Sequence, residues 1–148
     1  MAKGKYVYPY PRPMVAVDLV VVTREPSPKV LLVRRKHDPY AGRWAIPGGY
    51  LEMNETLEAA ARRELREETG VTVAKLMPLG PYDAVDRDPR GRTITFAYLA
   101  LVRPGQVEAK AADDAAEVGW FPLVRLPELA FDHRDILKNA RKMLRMGR

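Results

Sequence analysis

The stretch GGYLEMNETLEAAARRELREETGV, Gly48 to Val71, decides how the chain is read. Its second half carries the local signals of a helix. Leu57, Ala61 and Leu65 recur every four residues as a core-facing stripe, Asn54 or Thr56 can cap the start, and Gly70 stands where a left-handed C-terminal cap belongs. At about 100° per residue, Glu64 and Glu68 fall within roughly 40° of one another and Glu67 about 60° to the other side of Glu64, so the three carboxylates share a face. Local physics opposes this arrangement. Like charges at i and i+4 destabilise a helix by roughly 0.2–0.5 kcal/mol, and Glu67 and Glu68 also stand at the negative end of the helix dipole, at roughly 0.3–1 kcal/mol.

An ordinary surface helix would neutralise its glutamates with Arg62, Arg63 and Arg66, in pairs such as Glu58 with Arg62 and Arg63 with Glu67. That leaves Glu64 against Glu68 unexplained and ignores the Gly-Gly turn and Glu55 upstream. A divalent cation explains the whole set. Mg²⁺ takes hard oxygen ligands, binds through a few carboxylates plus water, and completes its shell with phosphate oxygens. On this reading the repulsion among the carboxylates is relieved only when cations arrive.

Gly49 to Val71 resembles the Nudix box, GX5EX7REUXEEXGU with U a bulky aliphatic residue, at every specified position: Gly49, Glu55, Arg63, Glu64, Leu65, Glu67, Glu68, Gly70 and Val71. The strand order around it is also similar to the Nudix fold, so the resemblance runs from about Val15 to Leu144. It implies hydrolysis of a nucleoside diphosphate linked to another group, by hydroxide and without a covalent intermediate. It implies Glu64 and Glu68 as main metal ligands, Glu67 as ligand to a further ion or an adjacent water, and the carbonyl of Gly48 as another ligand. Arg63 would orient the glutamates rather than touch substrate, and Glu55 would tie the loop to the helix. Leu65 and Val71 would be apolar anchors. Mg²⁺ is the expected cofactor, with Mn²⁺ able to replace it. The general base is Glu64 or Glu117 in ADDAAEVGW; the plain alternative for Glu117 is an exposed loop acid.

Three further stretches, KHDPYAGRWAIPGGYLE, DRDPRGRTITFAYLALV and WFPLVRLPELAFDH, are similar to the small ADP-ribose pyrophosphatase branch and to Nudix domains of regulators that sense related nucleotides. The resemblance implies cleavage of ADP-ribose to AMP and ribose 5-phosphate. The alternatives are a broader pyrophosphatase acting on dinucleotides or oxidised triphosphates, and a non-catalytic nucleotide-sensing module. Such regulators carry a winged-helix domain after the Nudix domain, and a chain ending at Arg148 is expected to lack one. Arg87, Arg90 and Arg92 flank a turn and can pair bidentately with a diphosphate, although a hairpin tip also carries arginine readily. Arg43 and Trp44 join them as substrate-binding candidates. Of Trp44, Tyr50, Phe96, Trp120 and Phe131, one or two are expected to stack on a base, since most aromatics in strands are core. His133 is expected to cap a helix or lie at the surface.

Working outward, MVAVDLVVVT and VLLVRRK read as a β-hairpin, WAIPGG as a short strand, VTVAKLMPLGPYDAV and RTITFAYLALV as further strands joined through DRDPRG, and EVGWFPLVRL as another. FDHRDILKNARKMLRM, apolar at Ile136, Leu137, Ala140, Met143 and Leu144, is an amphipathic helix with Asp132 as its cap. The sum is a mixed sheet with two helices, α+β or an α/β/α sandwich. A Pro/Tyr-rich arm, residues 1–13, precedes a domain over 14–148, and 148 residues suit one such domain.

With 47% hydrophobic and 30% charged residues the chain is an ordinary folded protein rather than a disordered one. It has no cysteine, which excludes disulfides, thiolate catalysis and cysteine-based zinc sites and suits a reducing compartment. VAVDLVVV, broken by Asp18, is too short for a membrane span, and the N-terminus lacks a signal-peptide pattern, so a cytoplasmic protein without membrane partners is expected. The net charge of +6 draws anions generally; much of it sits at Arg134, Lys138, Arg141, Lys142, Arg145 and Arg148, expected as a solvated helix face rather than a nucleic-acid surface. The expected partners are a small nucleotide and a second copy of the chain, the arm or a strand of one subunit helping to complete the other's site.

Overall fold

The run MVAVDLVVVT builds β1, Met14–Thr23, whose side chains alternate between two cores. Val17, Leu19 and Val21 face one side of the sheet and Val20 and Val22 the other, so the strand is covered on both faces. The structure, a computed structural model, describes residues 4–109 and 115–147. Beside β1 lies β6, Thr93–Val102, parallel from Met14 opposite Thr93 to Thr23 opposite Val102. On the other flank β2, Lys29–Arg35, runs antiparallel to β1, carrying β3, Trp44–Ala45, and β7, Ala115–Pro122. β4, Gly48–Tyr50, pairs with β1, and β5, Met77–Tyr82, with β6.

Two helices cover this mixed sheet. α1, Leu57–Thr69, buries Ala60, Ala61 and Leu65 against the Val17–Val21 face, as its four-residue stripe requires. Thr56 is the cap, its hydroxyl accepting from Ala59 N at 3.1 Å, and Gly70 closes the helix at φ 73°. α2, His133–Met146, buries Ile136, Leu137 and Ala140 against the Val20–Val22 face. Arg134, Lys138, Lys142 and Arg145 point to solvent, while Arg148 is outside the described residues. The α/β/α sandwich is the expected one.

Several boundaries differ from expectation. Residues 71–76 are irregular, and β5 starts only at Met77, with a bulge between Pro78 and Gly80. WAIPGG is two short strands, because the Ile46–Pro47 step leaves the β2 edge and β4 returns onto β1. β7 stops at Pro122, so VRL lies beyond it, and Glu117 is a strand residue opposite Arg34 rather than a loop acid. Asp132 precedes α2 but makes no side-chain cap bond; both its oxygens accept from Arg87. No helix among the described residues is long and apolar enough to cross a membrane.

Candidate active site

The cap at Thr56 sets the phase of α1, so Glu64 and Glu68 emerge beneath the turn joining β3 to β4. Arg63 binds this region together. Its Nε and one terminal nitrogen donate to the two oxygens of Glu55 at 2.9 and 2.6 Å. The other terminal nitrogen donates to Glu64 at 2.9 Å and Glu67 at 3.2 Å, and a further bond reaches the Tyr50 carbonyl at 3.1 Å. Glu55 in turn accepts from Glu52 N at 2.8 Å, which closes the loop onto the helix. Glu68 accepts from Gly48 N at 2.9 Å.

The two glycines are sterically required. A Cβ on Gly49 would fall 2.5 Å from Glu64 Cδ, inside its carboxylate. A Cβ on Gly48 would overlap the Val17 carbonyl and come within 2.5 Å of Asp18 Oδ1. The Glu64 carboxylate therefore lies in a cradle made of bare backbone. Burial pushes the Glu64 pKa up, Arg63 opposes the rise, and Glu67 adds to it. Glu55 is held below the usual range by its bond to Arg63, and Arg63 above its own chiefly by Glu55.

Glu64, Glu68 and the Gly48–Tyr50 turn form one wall of a cleft, and Arg35, Lys36, Arg90 and Phe131 contribute to the rest of its lining. Burial lowers the Arg35 pKa, and the nearby Arg90 lowers it further, against the pull of Glu68. Arg90 packs over both the Tyr50 ring at 5.2 Å and the Phe131 ring at 5.5 Å. Among the described residues no three acidic or histidine side chains already converge on one point. A divalent cation such as Mg²⁺ needs only one or two carboxylates, its remaining oxygens coming from water and phosphate. The backbone cradle and the hard-oxygen donor set fit such an ion, with Glu64, Glu68 and the Gly48 carbonyl as the groups to hold it.

A model of the NUDIX domain matches residues 12–140. The chain belongs to the Nudix family. It is 45% identical over 130 residues to an ADP-ribose pyrophosphatase of Methanocaldococcus jannaschii, covering 88% of this chain and 74% of that one. It is 33% identical over 136 residues to an ADPR responsive transcriptional repressor of Acinetobacter baylyi, covering 88% of this chain and 54% of the relative. The NUDIX domain of Shewanella oneidensis NrtR, solved with ADP ribose, superposes with a TM-score of 0.83 at 32% identity, covering 91% of this chain and 90% of that one. The chain is a Nudix pyrophosphohydrolase.

In this Nudix fold the expected residues divide. Glu64, Glu68 and Gly48 line the cleft, and Arg63 organises its glutamates as the box implies. Glu67, more exposed, reaches Arg63 from the rim. Of the arginines, Arg90 lines the cleft, partly exposed, with its Nε and one terminal nitrogen donating to Asp88 at 3.1 and 2.8 Å. Arg87 lines it too, but it is buried and both its bonds go to Asp132, so it is not free to grip a diphosphate. Arg92 donates to the carbonyls of Asp83 and Ala84, and Arg43 packs over Tyr40; neither is part of the cleft lining. Trp44 packs edge-on against Phe121 in the core, so the aromatic faces in the cleft are Tyr50 and Phe131. Glu117 is paired with Arg34 at 2.8 Å and is also outside the lining. His133 is neither cap nor surface: it is 4% exposed and faces Asp18. Arg35 and Lys36 were not among the sequence candidates. Their signal was the basic RRK at the end of an apolar strand, which carries charge into the sheet's end.

Proposed function

We propose that this protein hydrolyses ADP-ribose to AMP and ribose 5-phosphate with Mg²⁺, Mn²⁺ being able to substitute. The observation that carries the reading is the cleft: two carboxylates of α1, set against a Gly-Gly turn, share one open surface with arginines, in a chain similar to an ADP-ribose pyrophosphatase. The cation's contribution is to neutralise the diphosphate and acidify the attacking water. The protein's own groups do the rest. Arg35, Lys36 and Arg90 supply the positive field that draws the diphosphate in. Tyr50 or Phe131 offers a ring face to the base. Arg63 holds Glu64, and Gly48 N–H holds Glu68, so neither carboxylate has to be ordered when substrate arrives. Of the two candidate bases Glu64 lines the cleft, whereas Glu117 lies outside it and holds Arg34, so Glu64 is the proton acceptor.

The test is a substrate panel with purified protein and Mg²⁺, following AMP and ribose 5-phosphate by chromatography. Intact ADP-ribose alongside cleavage of a dinucleotide or an oxidised triphosphate would overturn the substrate. A second reading, nucleotide sensing, is favoured by the likeness to the ADPR responsive repressor and by the net charge of +6. It requires salt-dependent binding to duplex DNA, and our reading expects none at submicromolar protein. We also infer a homodimer, supported by exposed Tyr6, Val7 and Tyr10 on the arm, with sedimentation as the check. The lack of cysteine supports a cytoplasmic location.

A further inference from the structure

His133 is a buried polar residue that the reading above does not use. Its Nδ1 accepts from Ile46 N at 3.0 Å, so the neutral ring carries its proton on Nε2, which faces Asp18 Oδ1 at 3.5 Å. Asp18 is itself 6% exposed, and its other oxygen accepts from Thr95 Oγ1 at 2.6 Å. Asp18 lies directly opposite Gly48 in the β1–β4 pairing, and a Cβ on Gly48 would strike it. Leu19 N donates to the Pro47 carbonyl at 2.9 Å, which pins the middle of the same turn to β1. The turn from Ile46 to Gly48 is thus held at successive residues, by groups that also line the buried end of the cleft.

We propose that His133 is a positioning residue for the cation site: it holds Ile46 directly and Gly48 through Asp18, so that the Gly48 carbonyl and Glu68 meet the cation in one fixed geometry. The proposal rests on the family reading of the Gly48 carbonyl as a ligand. The mechanism is mechanical. Glu68 is tied to Gly48 N, so a turn that drifts carries both ligands with it. α2 begins at His133, and its buried residues Ile136, Leu137 and Ala140 anchor the ring's own position in the core. A support of this kind is worth about 10–100-fold in metal affinity.

The experiment measures Mn²⁺ binding to the nucleotide-free protein by electron paramagnetic resonance, together with amide exchange at Ile46. Without nucleotide present, its outcome is separate from the choice of substrate. His133→Leu is expected to weaken Mn²⁺ binding about tenfold and to speed exchange of the Ile46 amide. His133→Asn keeps an acceptor at the Nδ1 position and is expected to stay within about threefold of the parent, whereas His133→Gln, which loses that acceptor, behaves like Leu. A folded His133→Leu protein with parental Mn²⁺ affinity overturns the proposal. If the Leu variant does not fold, equal affinities for the Asn and Gln variants overturn it instead.

Discussion

Gly49→Ala separates the geometry of the site from the stability of the fold. The added Cβ would lie 2.5 Å from Glu64 Cδ and Oε1 and 2.7 Å from Oε2, where ordinary contact begins at 3.4 Å. The carboxylate must therefore retreat by about 0.9 Å, the difference between 3.4 and 2.5 Å. Glu64 is a long side chain, so its end moves rather than the backbone. That movement strains its 2.9 Å bond to Arg63, while the bonds from Arg63 to Glu55 and Tyr50 survive. Losing one charge-assisted bond costs about 1.5–3 kcal/mol, and the smaller unfolded-state entropy of alanine returns about 0.4–1 kcal/mol. The net loss is about 0.5–2.6 kcal/mol, a fall in Tm of about 1–10 °C at roughly 2–4 °C per kcal/mol. Misplacing a catalytic group by about 1 Å costs about 10²-fold in rate, so kcat/KM falls far more than stability does. Gly48→Ala provides the contrast. Its Cβ meets the Val17 carbonyl and comes within 3.0 Å of Asp18 Cα, both backbone atoms of a central strand, so its Tm should fall well below that of Gly49→Ala. Melting curves and ADP-ribose kinetics on both proteins decide the matter. A Gly49→Ala enzyme with the parent's kcat/KM would refute the idea that Glu64 works from that cradle.

Arg63→Lys replaces a planar fork that serves three glutamates and a carbonyl with a single ammonium; kcat/KM should drop about 10–100-fold, and Tm should fall as well. Glu64→Gln should lose about 10²-fold or more in kcat/KM without lowering the Tm of metal-free protein, because the fold disfavours the charged form of this side chain. Burial lowers the His133 pKa, so below about pH 6.5 the unfolded chain takes up a proton that the folded one refuses; urea unfolding between pH 8 and 5.5 should show stability declining as pH falls, with a shallower decline for His133→Asn. Arg92→Ala, outside the cleft, should leave KM for ADP-ribose unchanged, whereas Arg90→Ala should raise it; equal effects would return Arg92 to the site.

The parts of this protein legible in sequence are those that local rules govern. α1 announced itself through its stripe, Thr56 and Gly70, because periodicity and caps act within a few residues. Glu64 and Glu68 were found because helical spacing alone places them together. Long-range partners were not legible. Arg87 looked available for phosphate because nothing near it in sequence suggests Asp132, 45 residues on, which takes both its bonds. Asp18 appeared only as an interruption of an apolar strand, and His133 as a helix-end polar residue. Their pairing exists because the sheet side of β1 that carries Val20 and Val22 is the side on which α2 packs. Trp44, a substrate-binding candidate from sequence, is core for a related reason: β7, far along the chain, brings Phe121 against it.

The same long-range geometry corrects the account of the crowded glutamates. Sequence alone suggested that only a cation could relieve their repulsion. The structure supplies two other reliefs, the Arg63 guanidinium shared by Glu55, Glu64 and Glu67, and the Gly48 N–H taken by Glu68. Protein contacts therefore offset part of the repulsion along the helix. Relief is incomplete at one position, since burial and Glu67 still leave the Glu64 carboxylate less favourably charged than in water. That imbalance falls on the side chain that faces the cleft and sits on bare Gly49 backbone. A cation held by Glu64 would remove the remaining penalty on its charge, which would tie ion binding to the ionised form of that carboxylate.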